Sequence, residues 1–233
     1  MIFDKPTKEV VFLRRPNRFQ AYIELEGEEV LVHVPNTGRL REILIPGCRA
    51  LIRYESGAKR KTAHSLIGAW KGNQLINFDS QIPNRVVEEA LLERRIPHLA
   101  EYTQVTREKT FGKSRFDFKL SRPDAPDYYL EVKGVTLEGD GVVSFPDAVT
   151  ERGARHLREL VEARNAGFGA GLIFLVQLEN ASYFTPNAAM DPYFAESLRY
   201  AMEHQVEVAA YTCRTTTESL TLDQAIPVRI EGE

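Results

Sequence analysis

The sequence predicts two domains of different fold class: an all-β barrel at the amino terminus, then an α/β domain with a mixed sheet flanked by helices. Roughly the first 80 residues are β-branched and aromatic runs separated by turn signals, which is typical of consecutive strands. A helical pattern follows "SQIPNR". The later run "GLIFLVQL" is apolar on both faces, as in a central strand covered by helices on each side. We therefore predict domains at residues 1–81 and 82–233.

The first domain contains five predicted strands with a turn signal after each. They are "EVVFLRR" (9–15), "RFQAYIEL" (18–25), "EEVLVHV" (28–34), "CRALIRYE" (48–55) and "HSLIGAW" (64–70). The segment "PNTGRLREILIPG" (35–47), between the third and fourth strands, has room for one short helix. Five strands with a helix after the third indicate a small closed barrel of the oligonucleotide/oligosaccharide-binding (OB) type.

The second domain begins with a helix through "RVVEEALLERR" (85–95), for which Asn84 is the predicted N-cap and Pro97 the stop. The remaining predicted elements are strands at 101–108, 114–120 and 128–135, a helix at 150–167, a strand at 171–178, a helix at 191–204 and a strand at 207–212. The order is α-β-β-β-α-β with one more helix–strand unit attached.

Composition restricts the function classes. With 43% hydrophobic and 27% charged residues, the chain can bury a normal core, and its net charge of -3 excludes a generally basic nucleic-acid-coating protein. The only cysteines, Cys48 and Cys213, form neither a disulfide framework nor a paired zinc motif. No segment approaches the ~20 apolar residues of a membrane span, so we expect a cytoplasmic protein without a membrane partner.

The predicted second and third strands of the α/β domain carry a concentration of charge. In "SRFDFKL", Arg115, Asp117 and Lys119 share one face, opposite Phe116, Phe118 and Leu120. In "YLEVKGVTL", Glu131 and Lys133 also share a face. If the two strands pair, two carboxylates converge, which is tolerable mainly when a cation lies between them.

Carboxylate oxygens without nearby imidazole or thiolate favour Mg²⁺ or Mn²⁺. Lys133 would then orient a water or stabilise charge in the transition state of phosphodiester hydrolysis. The alternative is an exposed edge strand with an ordinary Glu-x-Lys pair. The α-β-β-β-α-β order, with the Asp on the second strand and the Glu-x-Lys on the third, favours the nuclease arrangement.

Two helices offer further site residues. Glu88 and Glu89 both lie off the apolar stripe of the first helix, and either could supply a third acidic ligand. On the second helix, Arg152, Arg155 and His156 gather beside Gly153 near the amino terminus, which is a plausible phosphate clamp. The alternative for that cluster is an ordinary basic helix face.

With "HVPNTGRL", "SRFDFKL", "YLEVKGVTL" and "FPDAVTERGARHL" identified, the whole chain resembles the sugar fermentation stimulation protein A (SfsA) family. The resemblance implies an N-terminal OB-like domain, a C-terminal domain of the PD-(D/E)xK nuclease-like fold, and DNA binding. Carried over by position, it implies Glu89, Asp117, Glu131 and Lys133 as catalytic residues, and the three acids among them as the ligands of Mg²⁺ or Mn²⁺. Phe116 stands where the signature of the fold has a proline.

The family pattern also covers barrel segments that would contact nucleic acid. Together with the basic residues of the second domain, the predicted contact set is His33, Asn36, Thr37, Arg39, Lys59, Arg60, Lys61, Arg115, Arg152, Arg155 and His156. Phe19, Tyr22 or Trp70 could stack on bases. The alternatives are a tight turn for "PNTG" and a solvated loop for "KRK".

The function hypotheses are a metal-dependent nuclease, a non-catalytic DNA-binding regulator linked to sugar (maltose) metabolism, and a carbohydrate-sensing protein, because OB barrels also bind oligosaccharides. The sequence makes no prediction about the oligomeric state.

Overall fold

The computed structural model describes residues 1–55, 57 and 60–230, and its first domain is a closed barrel. The barrel strands are β1 (Thr7–Asn17), β2 (Gln20–Leu25), β3 (Glu28–His33), β4 (Arg49–Tyr54), β5 (His64–Lys71) and β6 (Gln74–Asn77). Their order is β3-β2-β1-β4-β5-β6, and the pairing of His33 with Ser65 between β3 and β5 closes the barrel. The sixth strand, β6, was not predicted because four residues carry too little alternation to identify a strand.

The helix predicted within residues 35–47 is wrong. The chain makes only a single turn there, in which the N–H groups of Ile43 and Leu44 donate to the carbonyl of Leu40. These three apolar side chains are buried in the barrel core. Pro46 lacks the N–H that a longer helix needs, and Gly47 follows it with a positive φ of 87°.

The second domain is built on a six-stranded sheet. Its elements are α1 (Ile82–Leu92), β7 (Gln104–Phe111), β8 (Ser114–Ser121), β9 (Tyr128–Val135), α2 (Glu151–Asn165), β12 (Gly169–Val176), α3 (Pro192–Glu203), β14 (Glu207–Thr215) and β15 (Leu220–Ile226). A small separate sheet contains β10 (Leu137–Gly139), β11 (Val142–Phe145) and β13 (Tyr183–Pro186).

The main sheet has the order β15-β14-β12-β9-β8-β7. Strand β12 lies at its centre, parallel to both β9 and β14, and is buried from Ala170 to Val176, as its unbroken apolar run predicts. Helix α1 packs with Leu130, Val132 and Ile173 on one face of the sheet, whereas α2 and α3 pack with Leu172 and Phe174 on the other. The sheet is therefore covered on both sides.

The helix starts follow local capping chemistry in two of three cases. The Thr150 hydroxyl accepts the N–H of Gly153 at the start of α2, and Asp191 accepts the N–H of Phe194 at the start of α3. For α1 the prediction is wrong: the helix begins at Ile82, and Asn84 lies inside its first turn. The Asn84 side chain is therefore directed to a tertiary partner.

A buried polar network joins the two domains. The N–H of Asn77 at the end of β6 donates to the carbonyl of Gln177 just beyond β12, at 3.0 Å. The Gln177 amide donates in turn to the Asn77 side chain at 3.0 Å and to the Asp79 carbonyl at 3.2 Å. The first residues of the chain also contact the second domain, because the N–H of Phe3 donates to the carbonyl of Glu218. None of the helices in the described part of the chain has the length and apolar character that a membrane crossing requires.

A buried ion cluster stands at the barrel side of this junction. The Arg53 guanidinium contacts Glu55 at 2.8 Å and Asp79 at 3.0 Å, and Lys5 contacts the other oxygen of Glu55 at 2.5 Å. Burial by itself would raise the pKa of Glu55. The hydrogen bonds and charges of Lys5 and Arg53 outweigh burial and lower the pKa of Glu55 to about 2.

We expect Glu55→Gln to destabilise the protein by roughly 2–3 kcal/mol at pH 7, because it removes the carboxylate that compensates a buried guanidinium. A depressed folded-state pKa contributes stability above the ordinary value of 4.5, and that contribution is lost as the pH falls towards 2. Urea unfolding between pH 7 and pH 3 measures the difference from the parent. Glu26→Gln, at an exposed pair with Lys8, is the matched control. A difference in unfolding free energy between Glu55→Gln and the parent that stays constant with pH would contradict the lowered pKa of Glu55.

Candidate active site

The site forms where strands β8 and β9 diverge. The two strands pair through Leu120–Tyr128, Lys119–Tyr129 and Phe118–Leu130. At the next position the carboxylate oxygen Oδ2 of Asp117 accepts the N–H of Val132 at 2.8 Å. A side-chain oxygen of β8 thus satisfies a backbone donor of β9 at the point where the strands separate. Asp117 is thereby fixed between the strands.

The predicted alternation of β8 breaks at the same residue. Phe116 and Phe118 were predicted to share a face, but Phe118 packs in the apolar cluster under α1. Phe116 instead contacts the rings of Tyr129 and His156 on the α2 side. On the neighbouring strand β7, Arg107 pairs with Phe118 and Lys109 pairs with Phe116. Glu108, which lies between them and opposite Asp117, has a positive φ of 52°. The strand pair is therefore locally kinked, and the period-two prediction for Phe116 is wrong.

Asp117 has an environment that disfavours its charge. Its Oδ1 accepts a hydrogen bond from the Asn84 amide of α1 at 2.7 Å. Burial raises the pKa of Asp117, and the nearby charge of Glu131 raises it further, although the bonds from Val132 and Asn84 act in the opposite direction. An ionised Asp117 therefore costs free energy in the folded chain, and a bound cation would offset that cost.

Glu131 is the most buried charge of the site, with 3% of its surface exposed. Its Oε1 accepts hydrogen bonds from the Lys133 ammonium at 2.5 Å and from Nδ1 of His156 at 2.6 Å. Burial would raise the pKa of Glu131, but the contacts with His156 and Lys133 outweigh it and hold that pKa below its ordinary value. Oε2 is buried and has no hydrogen-bond partner among the described residues.

The structure corrects the predicted role of His156. Its ring is 3% exposed and lies in the interior beside Glu131, so it cannot contact nucleic acid. Nε of Arg152 donates to Nε2 of His156 at 3.3 Å, so Nε2 accepts and Nδ1 carries the proton that is given to Glu131. The signal for this inward orientation was the position of His156 at the edge of the apolar stripe of α2.

The structure does not bring Glu89, the predicted third ligand, to the carboxylate pair. Its Oε1 accepts from the amino group of Met1 at 2.7 Å and from Arg95 at 3.4 Å, while Glu88 pairs with Arg107. Over residues 1–55, 57 and 60–230, no three Asp, Glu, His or Cys side chains gather in a way that could hold a metal ion. Helix α1 contributes the Asn84 amide to the site, through its hydrogen bond to Asp117. The sequence had predicted Asn84 as the N-cap of this helix.

Asp117 and Glu131 nevertheless fit a hard divalent cation. Both are carboxylates, their environments push their pKa values in opposite directions, and the buried Oε2 of Glu131 lacks a hydrogen-bond donor among the described groups. A buried oxygen without a donor is costly unless a cation or water satisfies it. The donor set suits Mg²⁺ or Mn²⁺ better than zinc. Any remaining ligands would be water or backbone carbonyls.

A groove on the barrel surface collects several of the residues predicted to contact nucleic acid. The cavity measures about 460 Å³ and is lined by Phe19, His33, Arg60 and Lys61, among others. Phe19 is 56% exposed, whereas the rings of Tyr22 and Trp70 are covered by arginine guanidinium groups at 3.6 and 4.0 Å. Of the three aromatic residues proposed for stacking, Phe19 is the one that the fold leaves open. Lys59 lies outside the described residues.

The "PNTG" loop is held rigidly by Arg15. The guanidinium of Arg15 donates to the backbone carbonyls of Gly38, Arg39, Arg18 and Asn36 at 2.7–2.9 Å. Asn36 uses both ends of its amide within the fold, donating to the Phe78 carbonyl and accepting the N–H of Gly38. Asn36 is thus engaged in shaping the loop.

The remaining residues of the predicted contact set are at the surface. The side chains of Thr37, Arg39, Arg115, Arg152 and Arg155 are exposed. Arg152 combines an exposed side chain with its contact to His156, so it links the surface to the buried carboxylate.

Two family models match the chain. Residues 13–78 match the SfsA N-terminal OB domain, and residues 81–219 match the sugar fermentation stimulation protein RE domain. The OB barrel and the α/β domain predicted from sequence are thus confirmed.

Curated relatives match along almost the entire chain. A sugar fermentation stimulation protein homolog of Clostridium botulinum is 58% identical over 230 residues, covering 99% of this chain and 100% of the relative. The homolog of Clostridium acetobutylicum is 55% identical and covers 98% and 99%, respectively. The structure of Pyrococcus furiosus SfsA in complex with Ca²⁺ covers 99% of this chain and 98% of that chain, with a TM-score of 0.89 and 28% identity.

We expect Asp117→Asn to leave the metal-free protein equally stable, or up to about 1 kcal/mol more stable, at pH 7. The physical reason is that a raised folded-state pKa makes an ionised Asp117 unfavourable as the pH rises. Thermal unfolding should also show that Mn²⁺ raises the melting temperature of the parent but not of Asp117→Asn. Equal stabilisation of both proteins by Mn²⁺ would place the ion elsewhere.

Proposed function

Because the chain belongs to the sugar fermentation stimulation protein family, we propose that it binds nucleic acid and hydrolyses phosphodiester bonds with a divalent ion held by Asp117 and Glu131. The observation that carries the proposal is the pair of carboxylates, of which Glu131 is buried and Asp117 is half-buried. One of the two carboxyl groups has a raised pKa, and the other presents a buried oxygen without a described donor.

The relative from Pyrococcus furiosus supports a divalent ion, because that protein is in complex with Ca²⁺. The oxygen donors of Asp117 and Glu131 suit Ca²⁺, Mg²⁺ and Mn²⁺ alike, and we propose Mg²⁺ or Mn²⁺ as the ion used in hydrolysis. When bound, the ion would supply a Lewis acid for the phosphate and lower the pKa of an attacking water. The order of elements, α1-β7-β8-β9-α2-β12, supports the PD-(D/E)xK type of nuclease domain that the resemblance implies.

Other residues of the site would stabilise charge or hold the two carboxylates in position. Lys133 lies beside Glu131 and is the cation placed to orient water or to stabilise charge that develops on the phosphate. His156 fixes the Glu131 carboxylate, and Asn84 together with the N–H of Val132 fixes Asp117. These are positioning residues, because they hold the groups that would meet the reacting atoms.

Nucleic acid, with DNA as the expected form, would contact local cationic surfaces, since the net charge of the whole chain is -3. The barrel groove combines Arg60 and Lys61 with the exposed ring of Phe19, which suits backbone contact plus base stacking. Arg152, which contacts His156, and the exposed Arg155 of the same helix add further positive charge to α2. The substrate would thus be held on both domains.

A second candidate is a DNA-binding regulator without catalysis, linked to sugar metabolism as the family name suggests. The observation that favours it is the incomplete acidic cluster: within the described residues, a third acidic ligand does not join Asp117 and Glu131. Such a protein would bind DNA in a salt-dependent manner without cutting it.

We expect Glu131→Gln and Lys133→Ala each to reduce Mn²⁺-dependent cleavage of a labelled oligonucleotide by at least about a hundredfold, because each removes a preorganised charge at the reacting phosphate. Glu162→Gln, at an exposed position of α2, is the matched control and should retain activity. Equal cutting by the parent and both site variants would assign the activity to a contaminant. Binding without any cutting by the parent would favour the regulator.

We expect Lys61→Ala to weaken DNA binding and to reduce the slope of log affinity against log salt by about one, as the loss of one phosphate contact requires. Lys8→Ala, which removes another exposed lysine of the barrel outside the groove, should leave the slope unchanged. Fluorescence anisotropy at several salt concentrations measures both slopes. Identical slopes for the two variants would show that DNA does not contact the groove.

A further inference from the structure

A second cavity lies between the domains, and two of its lining residues are chain neighbours of residues in the carboxylate site. It measures about 180 Å³, and its walls include Thr37 of the barrel loop, Pro83 of α1, Gly134 and Thr136 at the end of β9, Phe145 and Gln177. Gly134 follows Lys133 in the chain, and Pro83 precedes Asn84, which holds Asp117. The cavity lining and the carboxylate site are therefore neighbours along the chain in both β9 and α1.

Gln177 presents a fixed hydrogen-bond acceptor to this cavity. Its side chain is 2% exposed, and its amide nitrogen is held by two hydrogen bonds, to the Asn77 side chain and the Asp79 carbonyl. The orientation of the amide is therefore set, and Oε1 accepts no hydrogen bond from any described residue. An amide oxygen fixed at the wall of a cavity can accept a hydrogen bond from a ligand or from water.

Two glycines allow the polar groups to approach the cavity. A Cβ at Gly134 would lie 2.5 Å from Oε1 of Gln177 and 2.8 Å from the ring of Pro83. A Cβ at Gly38 would lie 2.4 Å from the carboxylate of Asp147, a second acceptor in the lining. Any larger residue at either position would displace the acceptors or occupy the space.

The rest of the lining is partly flat and apolar. The ring of Phe145 is held in place by edge contacts with Phe194 and a tilted contact with Phe174, and Pro83 and Leu137 also line the cavity. A flat apolar wall together with fixed acceptors fits a flat ring system that carries N–H donors. A water takes up about 30 Å³ in the liquid, so the cavity holds on the order of six waters, which leaves room for one nucleobase but not for a base pair.

We propose that this cavity receives one unpaired nucleobase from the strand whose backbone lies at Asp117 and Glu131. The inference rests on the proposed nucleic-acid binding and deepens it by naming the substrate class: single strands, or duplexes with a locally unpaired nucleotide. The acceptors of Gln177 and Asp147 can accept hydrogen bonds from the amino or ring N–H groups of a base, such as the amino group of adenine. Recognition is shared by both domains, because Thr37 and Gly38 come from the barrel.

The test compares three DNA duplexes of otherwise identical sequence: one with a single bulged adenosine, one with an abasic residue at the bulge, and one fully paired. Fluorescence anisotropy without added divalent ion gives the affinities. We expect the adenosine bulge to bind roughly tenfold more tightly than the abasic bulge, as stacking and hydrogen bonding of one base imply. Equal affinity for the two bulges would overturn the inference while leaving nucleic-acid binding intact.

Variants that fill the cavity test whether the preference for the adenosine bulge arises there. Thr136→Phe should abolish the preference for the adenosine bulge while retaining affinity for the paired duplex, and Thr103→Phe, at an exposed position outside the cavity, should keep the preference. Thr37→Trp, at the exposed rim, gives an independent test that does not depend on the folding of Thr136→Phe. An unchanged preference in both cavity variants would overturn the assignment to this cavity. Failure of the parent to bind any of the duplexes would overturn the proposed function itself, and the inference with it.

Discussion

The burial of the Glu131 carboxylate is the constraint on which the site depends. A charge with 3% exposure is tolerable only when it is paired, and Lys133 and His156 both donate to the same oxygen. His156 can do so because Arg152, one turn earlier on α2, occupies its other ring nitrogen. The Thr150 cap and the apolar face of α2 hold that helix against the sheet. The local structure of α2 therefore positions His156 to donate to the Glu131 carboxylate.

Asp117 completes the arrangement from the opposite strand, and the two acids are made unequal by their surroundings. The contacts of Glu131 with His156 and Lys133 outweigh its burial and lower its pKa, whereas burial and the nearby charge of Glu131 raise the pKa of Asp117. The kink at Asp117 turns its side chain towards Val132 and Asn84, whose hydrogen bonds fix the carboxylate between the two strands. A cation is the partner that would relieve both groups at once.

The junction between the two domains forms the cavity described above. Gln177 ties the end of β6 to the end of β12, and Gly38 and Gly134 let the barrel loop and β9 come close enough to enclose a cavity. Arg15 makes the barrel loop rigid by binding its carbonyls. The geometry of the cavity therefore depends on the packing of the two domains.

Sequence alone determined the features that follow from local periodicity. The apolar run of β12 identified the central strand, and the spacing of Asp117, Glu131 and Lys133 placed them on two neighbouring strands. Tertiary structure decided the orientation of His156, the face of Phe116 and the pairing of Glu89 with the amino group of Met1, 88 residues away. These outcomes depend on contacts between distant segments and on one kinked strand. No window of neighbouring residues carries that information, because each side chain takes the partner that packing brings within reach.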